Sequence, residues 1–130
     1  MCILVVDDEP LIRMLLSEEL AHEGWEVAEA VDGDSAAAMI LEPPCRFSMV
    51  ITDVQMPGAL DGLALARLTR ARLPHIPIIL TTGRPEALKP IGPRRPNEAV
   101  ILKPFLPSEL VPVVRRLMAL NAGTGERAPA

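Results

Sequence analysis

Five short strand-like runs, separated by stretches of helical periodicity, restrict this chain more than any other feature. Ile3 to Val6 is continuously apolar, β-branched at three of its four positions, and stops at two acids. Such a run reads as a strand buried on both faces. The others are Glu26 to Ala30, Ser48 to Thr52, Pro77 to Thr81 and Ala99 to Leu102. Between them the period changes. Pro10 opens a helix, as proline does at a first helical position. Leu11 and Leu15 with Ile12, Leu16 and Leu20 form one apolar stripe on it, and Gly24 stops it. Gly33 to Leu41 is alanine-rich and helical, and Pro43-Pro44 ends it. Gln55 to Leu60 is a loop. Asp61 to Leu73 carries Leu63, Ala66, Arg67 and Arg70 at helical spacing. A last helix spans about Ser108 to Leu120, which Pro107 and Pro112 must either delay or kink.

Strand and helix in strict alternation predict an α/β fold: a five-stranded parallel sheet with helices on both faces. The expected order is the flavodoxin-like 2-1-3-4-5. A chain of 130 residues fits one domain, placed at residues 1–121. The small, polar stretch 122–130 is expected to be a disordered tail. One connection departs from the pattern. Between Gly83 and Ala99 lie Pro85, Pro90, Pro93 and Pro96, and an interior proline costs a helix ~3 kcal/mol. The fourth helix is therefore expected to be short or irregular. At most one turn survives near Glu86 to Lys89, in a mobile segment.

Composition excludes several function classes. No apolar run approaches the roughly 20 residues of a membrane span. Two acids follow only four apolar residues after Cys2, with no basic stretch before them, so a secretory signal is not expected. The reading is a soluble, cytoplasmic protein. A net charge of -4, with no Tyr, two Phe and one Trp, argues against nucleic-acid contact. Cys2 and Cys45 are too few for a disulfide framework and read as inert packing residues. His22 and His75 read as solvent-facing, and Arg84, Lys89, Arg94 and Arg95 as a solvated basic loop.

In parallel sheets of this kind, ligands bind beyond the C-terminal strand ends. Asp7 and Asp8 follow the first strand, Asp53 the third, Thr82 the fourth and Lys103 the fifth. Any of these alone has a plainer role: a helix cap for Asp7-Asp8-Glu9, a turn residue for Asp53 or Thr82, a surface lysine for Lys103. Together they face one edge. Two carboxylates ~4 Å apart repel by about 4 kcal/mol at an effective dielectric of ~20, so positive charge must sit among them. Lys103 supplies some, and a hard divalent cation supplies more. Oxygen donors suit Mg2+; no Cys or His stands at these strand ends, so zinc fits poorly. A carboxylate in such a site can be a nucleophile towards phosphorus. Lys103, Thr82 and backbone N–H groups can then spread the charge of the transferring group.

VVDDEP, TDVQMPGALDG, PIILTTG and LKPF, in this order, resemble the receiver domain of two-component response regulators. The likeness covers about residues 1 to 120. It implies that Asp53 accepts a phosphoryl group from a phosphohistidine of a sensor histidine kinase or histidine phosphotransfer protein. It implies Mg2+ held by Asp8, Asp53 and the backbone carbonyl of Gln55, with Asp7 acting through water. Thr82 would be the switch hydroxyl and Lys103 the cation that pairs with the carboxylate and then the phosphate. The Lys103-Pro104 bond is expected to be cis. Gln55 and Arg84 stand where the family tunes phosphoryl lifetime.

Two features depart from that family. Val100 stands where an aromatic switch residue is frequent, and the prolines break the element that commonly meets partners. The leading expectation is a stand-alone phosphoacceptor, not an enzyme, that signals to a downstream protein or passes its phosphate on. About ten residues follow the last helix, so no output domain is visible. The alternative is an interaction scaffold with a silent site. A phosphohydrolase is a third reading, and it lacks a positioned acid after Asp53, where Val54, Gln55 and Met56 follow.

Overall fold

In the computed structural model, which describes residues 1–123, the five runs become β1 (Cys2–Val6), β2 (Glu26–Ala30), β3 (Phe47–Asp53), β4 (Ile78–Thr82) and β5 (Glu98–Leu102). They form one parallel sheet in the order β2-β1-β3-β4-β5. The helices are α1 (Pro10–His22), α2 (Gly33–Leu41), α3 (Gly62–Arg72) and α4 (Pro107–Gly123). Strand residues alternate between two cores, as a pleated chain requires. Leu4, Val6 and Val50 face Ala36, Ala37 and Ile40 of α2 and Leu65 of α3. Ile3, Val5, Met49 and Ile51 face Leu16 and Leu20 of α1 and Leu110, Val114 and Leu117 of α4. Both faces of the sheet are thus covered, which is the architecture that the alternation predicts.

Helix ends follow local chemistry. Pro10 stands in the first turn of α1. Gly24 lies just past its end with φ 100°, a conformation that glycine adopts without strain. Asp32 and Asp61 cap α2 and α3 by accepting the N–H groups of Ser35 and Ala64. Pro107 stands in the first turn of α4, so that helix is not delayed, and Pro112 lies within it. The last helix also takes in residues 122 and 123, two positions expected to belong to the tail; the remainder of that tail lies outside the described residues.

Three further expectations need correction. The stripe on α1 is narrower than its leucines suggest. Leu16 and Leu20 are buried, while Leu11 and Leu15 are exposed, because α1 packs through one side only, between the sheet and α4. Cys2 and Cys45 are not separate packing residues. They form a disulfide with a Cα–Cα distance of 6.3 Å, brought together because β1 lies beside β3 and the Cys2 N–H donates to the Arg46 carbonyl. Finally, the proline-rich connection does hold one regular piece, a 3-10 helix at Pro85–Ile91 with Pro90 inside it. It is longer than the single turn expected, yet it is short and not an α-helix, as the prolines lead one to expect. Leu88 and Ile91 anchor it against Val54, Leu63 and Ala66. Among the described residues, no helix is long and apolar enough to cross a membrane.

Candidate functional site

Backbone hydrogen bonds carry the sheet ladder past the strand ends and so fix the groups found there. The Asp7 N–H donates to the Ala30 carbonyl, that of Val54 to Thr81 at 2.9 Å, and that of Lys103 to Thr82 at 2.9 Å. Asp53 is further fixed from behind by α3. The Gly62 N–H donates to the Val54 carbonyl at 2.9 Å, and a Cβ at Gly62 would lie 2.0 Å from the Asp53 carbonyl oxygen. Only glycine allows the first turn of α3 to approach this closely. The Lys103-Pro104 bond is cis, as expected.

The carboxylates of Asp7, Asp8 and Asp53 offer oxygens that all lie within 4.8 Å of one another. Asp7 and Asp53 are buried, and Asp8 is the more open. Lys103 Nζ stands 3.1 Å from Asp53 Oδ2 and 3.5 Å from Asp7 Oδ2. One lysine cannot neutralise three carboxylates. Among the described residues no other such grouping occurs. The donor set fits a small hard cation: oxygens alone, anionic, with one flank open to water and a phosphate. Burial pushes the Asp53 carboxyl above the ordinary carboxylate value, and the charge of Asp7 adds to this; Lys103 and the Gln55 backbone N–H pull the other way without reversing it. Burial lowers the Lys103 ammonium, but its hydrogen bond to Asp53 and the charges of Asp53, Asp7 and Glu9 outweigh this and leave it raised.

Each residue picked from the sequence reaches this edge, and the plainer roles are also partly filled. Asp7 Oδ1 accepts from the Glu9 N–H at 2.9 Å, so it steadies the entry to α1 while Oδ2 faces Lys103. Thr82 is buried; its hydroxyl donates to Gln55 Oε1 at 3.0 Å, and its oxygen accepts from the Arg84 N–H at 3.0 Å. It is not bonded to Asp53. His22 and His75 are exposed. Arg84, Lys89, Arg94 and Arg95 are exposed as well.

Other residues with a part in the site gave little signal in the sequence. Arg13 donates from Nη1 to the Asp7 carbonyl at 2.8 Å and pairs with Glu29. Asp34, which reads as an ordinary first-turn acid, accepts from the Leu60 N–H at 3.1 Å and ties the β3–α3 loop to α2. The sequence marks Gln55 as a backbone ligand and as a position where the family tunes phosphoryl lifetime, but not as the side-chain partner of Thr82. A residue type cannot reveal such partners, because each is met across the sheet edge.

Comparison with known proteins agrees with this geometry. The family model described as response regulator receiver domain matches residues 3–115. Transcriptional regulatory protein ResD of Bacillus subtilis is 38% identical over 116 residues, 89% of this chain and 47% of that protein. Probable transcriptional regulatory protein TcrX of Mycobacterium tuberculosis is 36% identical over 124 residues, 95% of this chain and 50% of that protein. The chain spans about half the length of these curated relatives. The crystal structure of the receiver domain of NtrX from Brucella abortus superposes with a TM-score of 0.77 at 36% identity, covering 90% of this chain and 98% of that one. With the sheet order, the acids at the strand ends and a match over residues 3–115, the chain belongs to the response regulator receiver domain family.

Proposed function

We propose that this chain is a cytoplasmic phosphoacceptor module of two-component signalling, in which Asp53 takes a phosphoryl group from a phosphohistidine. The donor is a sensor histidine kinase or a histidine phosphotransfer protein. The observation that carries the reading is the grouping of Asp7, Asp8 and Asp53 with Lys103 against two of them. An Asp53 carboxylate oxygen attacks phosphorus, the P–N bond breaks, and the imidazole leaves with the bond's electron pair. An acyl phosphate on Asp53 results. Lys103 Nζ then moves its charge from carboxylate to phosphate oxygens. The Thr82 hydroxyl donates to a phosphate oxygen once it leaves its present partner. Asp8, Asp53 and the Gln55 carbonyl would hold Mg2+, with Asp7 acting through water. When bound, Mg2+ neutralises carboxylate charge and steadies the charge of the transferring group.

The module catalyses only its own modification, and a downstream protein reads the result or takes the phosphate on. ResD and TcrX are named as transcriptional regulators and extend well beyond the stretch matched here. They lend no support to a stand-alone module, nor to the exclusion of nucleic acid from a longer protein's work. Within residues 1–123, acidic charge and few aromatics favour protein partners.

A silent scaffold is the second reading. Val100 in place of an aromatic and the 3-10 helix in place of a regular helix favour it. A Mg2+ titration followed by amide chemical shifts separates the two. The phosphoacceptor reading expects saturable shifts at Asp8, Asp53 and Gln55 that weaken at least tenfold in Asp8→Asn. A folded wild type with no saturable shift there would favour the scaffold.

A further inference from the structure

Thr82 has one hydroxyl proton to give, and in this structure it goes to Gln55 Oε1 at 3.0 Å. The hydroxyl oxygen already accepts from the Arg84 N–H at 3.0 Å. Only the Arg84 carbonyl, at 3.3 Å, offers a second acceptor. Gln55 is placed to touch both halves of the site. Its backbone N–H faces the Asp53 carboxylate, while its side chain lies over a threonine with no exposed surface. Gln55 is itself exposed. It lines an open cleft of about 580 Å³ together with Met56, Leu63, Ala87 and Pro90. The side chain thus has space into which it can withdraw.

We propose that the Gln55 side chain is a latch on Thr82, holding the hydroxyl proton in the unmodified chain so that a phosphoryl oxygen on Asp53 must displace it. Gln55 is in this sense a positioning residue, acting through Thr82. The inference rests on the phosphoacceptor reading for its consequence and on the hydrogen bond alone for its existence. Any group that competes for the same proton shifts the balance only by its differential affinity for the two placements. Loss of one neutral hydrogen bond to an exposed amide changes such a balance about fivefold.

Gln55→Met keeps the length of the side chain and removes the acceptor. Three-bond couplings of the Thr82 side chain, measured on the unmodified protein without Mg2+, report whether the hydroxyl is held in one rotamer. The latch predicts a single rotamer in wild type, averaging in Gln55→Met, and restoration in Gln55→Glu, which keeps an acceptor. Beryllium fluoride with Mg2+ serves as the phosphoryl stand-in. The expected result is about fivefold tighter binding in Gln55→Met. No such gain should appear when the same change is made in Thr82→Val, where no hydroxyl proton exists. Unchanged couplings in Gln55→Met would overturn the proposal, as would an equal gain in affinity in the Thr82→Val background. If beryllium fluoride binds none of these proteins, the phosphoacceptor reading fails, and the couplings alone still decide whether the latch exists.

Discussion

Lys103 shows how much one residue holds at this sheet edge. Its ammonium is the nearest cation to two buried carboxylates, Asp7 and Asp53. Replacement by Met leaves both without an ion-pair partner. The expected loss is about 2–3 kcal/mol of stability at pH 7 in the presence of a chelator, since hydrogen bonds to charged groups are worth about that much. Saturating Mg2+ should restore part of it through binding to the folded state. Urea melts with and without the metal measure both effects. Gly62 illustrates a different constraint. With a Cβ only 2.0 Å from the Asp53 carbonyl oxygen, Gly62→Ala must shift either α3 or the end of β3. Overpacking of this kind costs about 1–3 kcal/mol. The same shift should slow modification of Asp53 far more than the stability loss explains, a comparison that rates measured on the folded variant supply. These residues were readable to different degrees. Asp7, Asp8, Asp53, Thr82 and Lys103 end strands, and strand ends are visible in a sequence as the close of an apolar run. The close approach at Gly62 was not visible, since glycine before a helix has many uses.

Among the elements, the proline-rich connection is the one that chemistry weakens and tertiary contacts partly rescue. Its 3-10 helix buries only Leu88 and Ile91. Behind it, Arg70 of α3 pairs with Glu98 at the start of β5, and the Arg95 N–H donates to the same carboxylate at 3.0 Å. Burial raises the Glu98 carboxyl, but the hydrogen bonds and charges of Arg70 and Arg95 outweigh this and hold it below the ordinary glutamate range. A depressed carboxylate stabilises the fold above its unfolded pKa, and that contribution is lost as pH falls through the folded value. Glu98→Gln should therefore cost roughly 3 kcal/mol at pH 7. The gap to wild type should close as pH falls below about 4.5, which melts across that range would show. In hydrogen exchange, amides from 84 to 97 should exchange roughly a hundredfold or more faster than those of β4. Equal protection would contradict the expected mobility. Prolines made the break legible, because their cost is local. The rescue by Glu98 was not, since nothing local marks its partner 28 residues earlier. Leu11 and Leu15 carry the converse lesson: periodicity locates a helix, but only the neighbouring elements decide which of its apolar residues are covered.

At the scale of the whole molecule, the order β2-β1-β3-β4-β5 does two things at opposite ends of the sheet. At the N-terminal end it sets Cys2 against Cys45, across a sequence separation of 43 residues. Spacing alone gave no sign of that pairing, which follows only from β1 lying beside β3. Closing a loop of that length is worth up to about 4 kcal/mol by the chain-entropy argument. Reduction, or Cys45→Ser, should lower the melting temperature while leaving Asp53 chemistry unchanged. At the C-terminal end the same order gathers Asp7, Asp8, Asp53, Thr82 and Lys103 from four strands, which the alternation of strand and helix had made legible in advance. The proposed function depends on that gathering accepting a phosphoryl group at Asp53. Incubation of the intact chain with Mg2+ and acetyl phosphate, followed by intact mass, tests it most directly. The prediction is one phosphate-sized gain in wild type, absent from Asp53→Asn and absent when Mg2+ is chelated. A natively folded wild type that gains nothing, or an equal gain in Asp53→Asn, would contradict it.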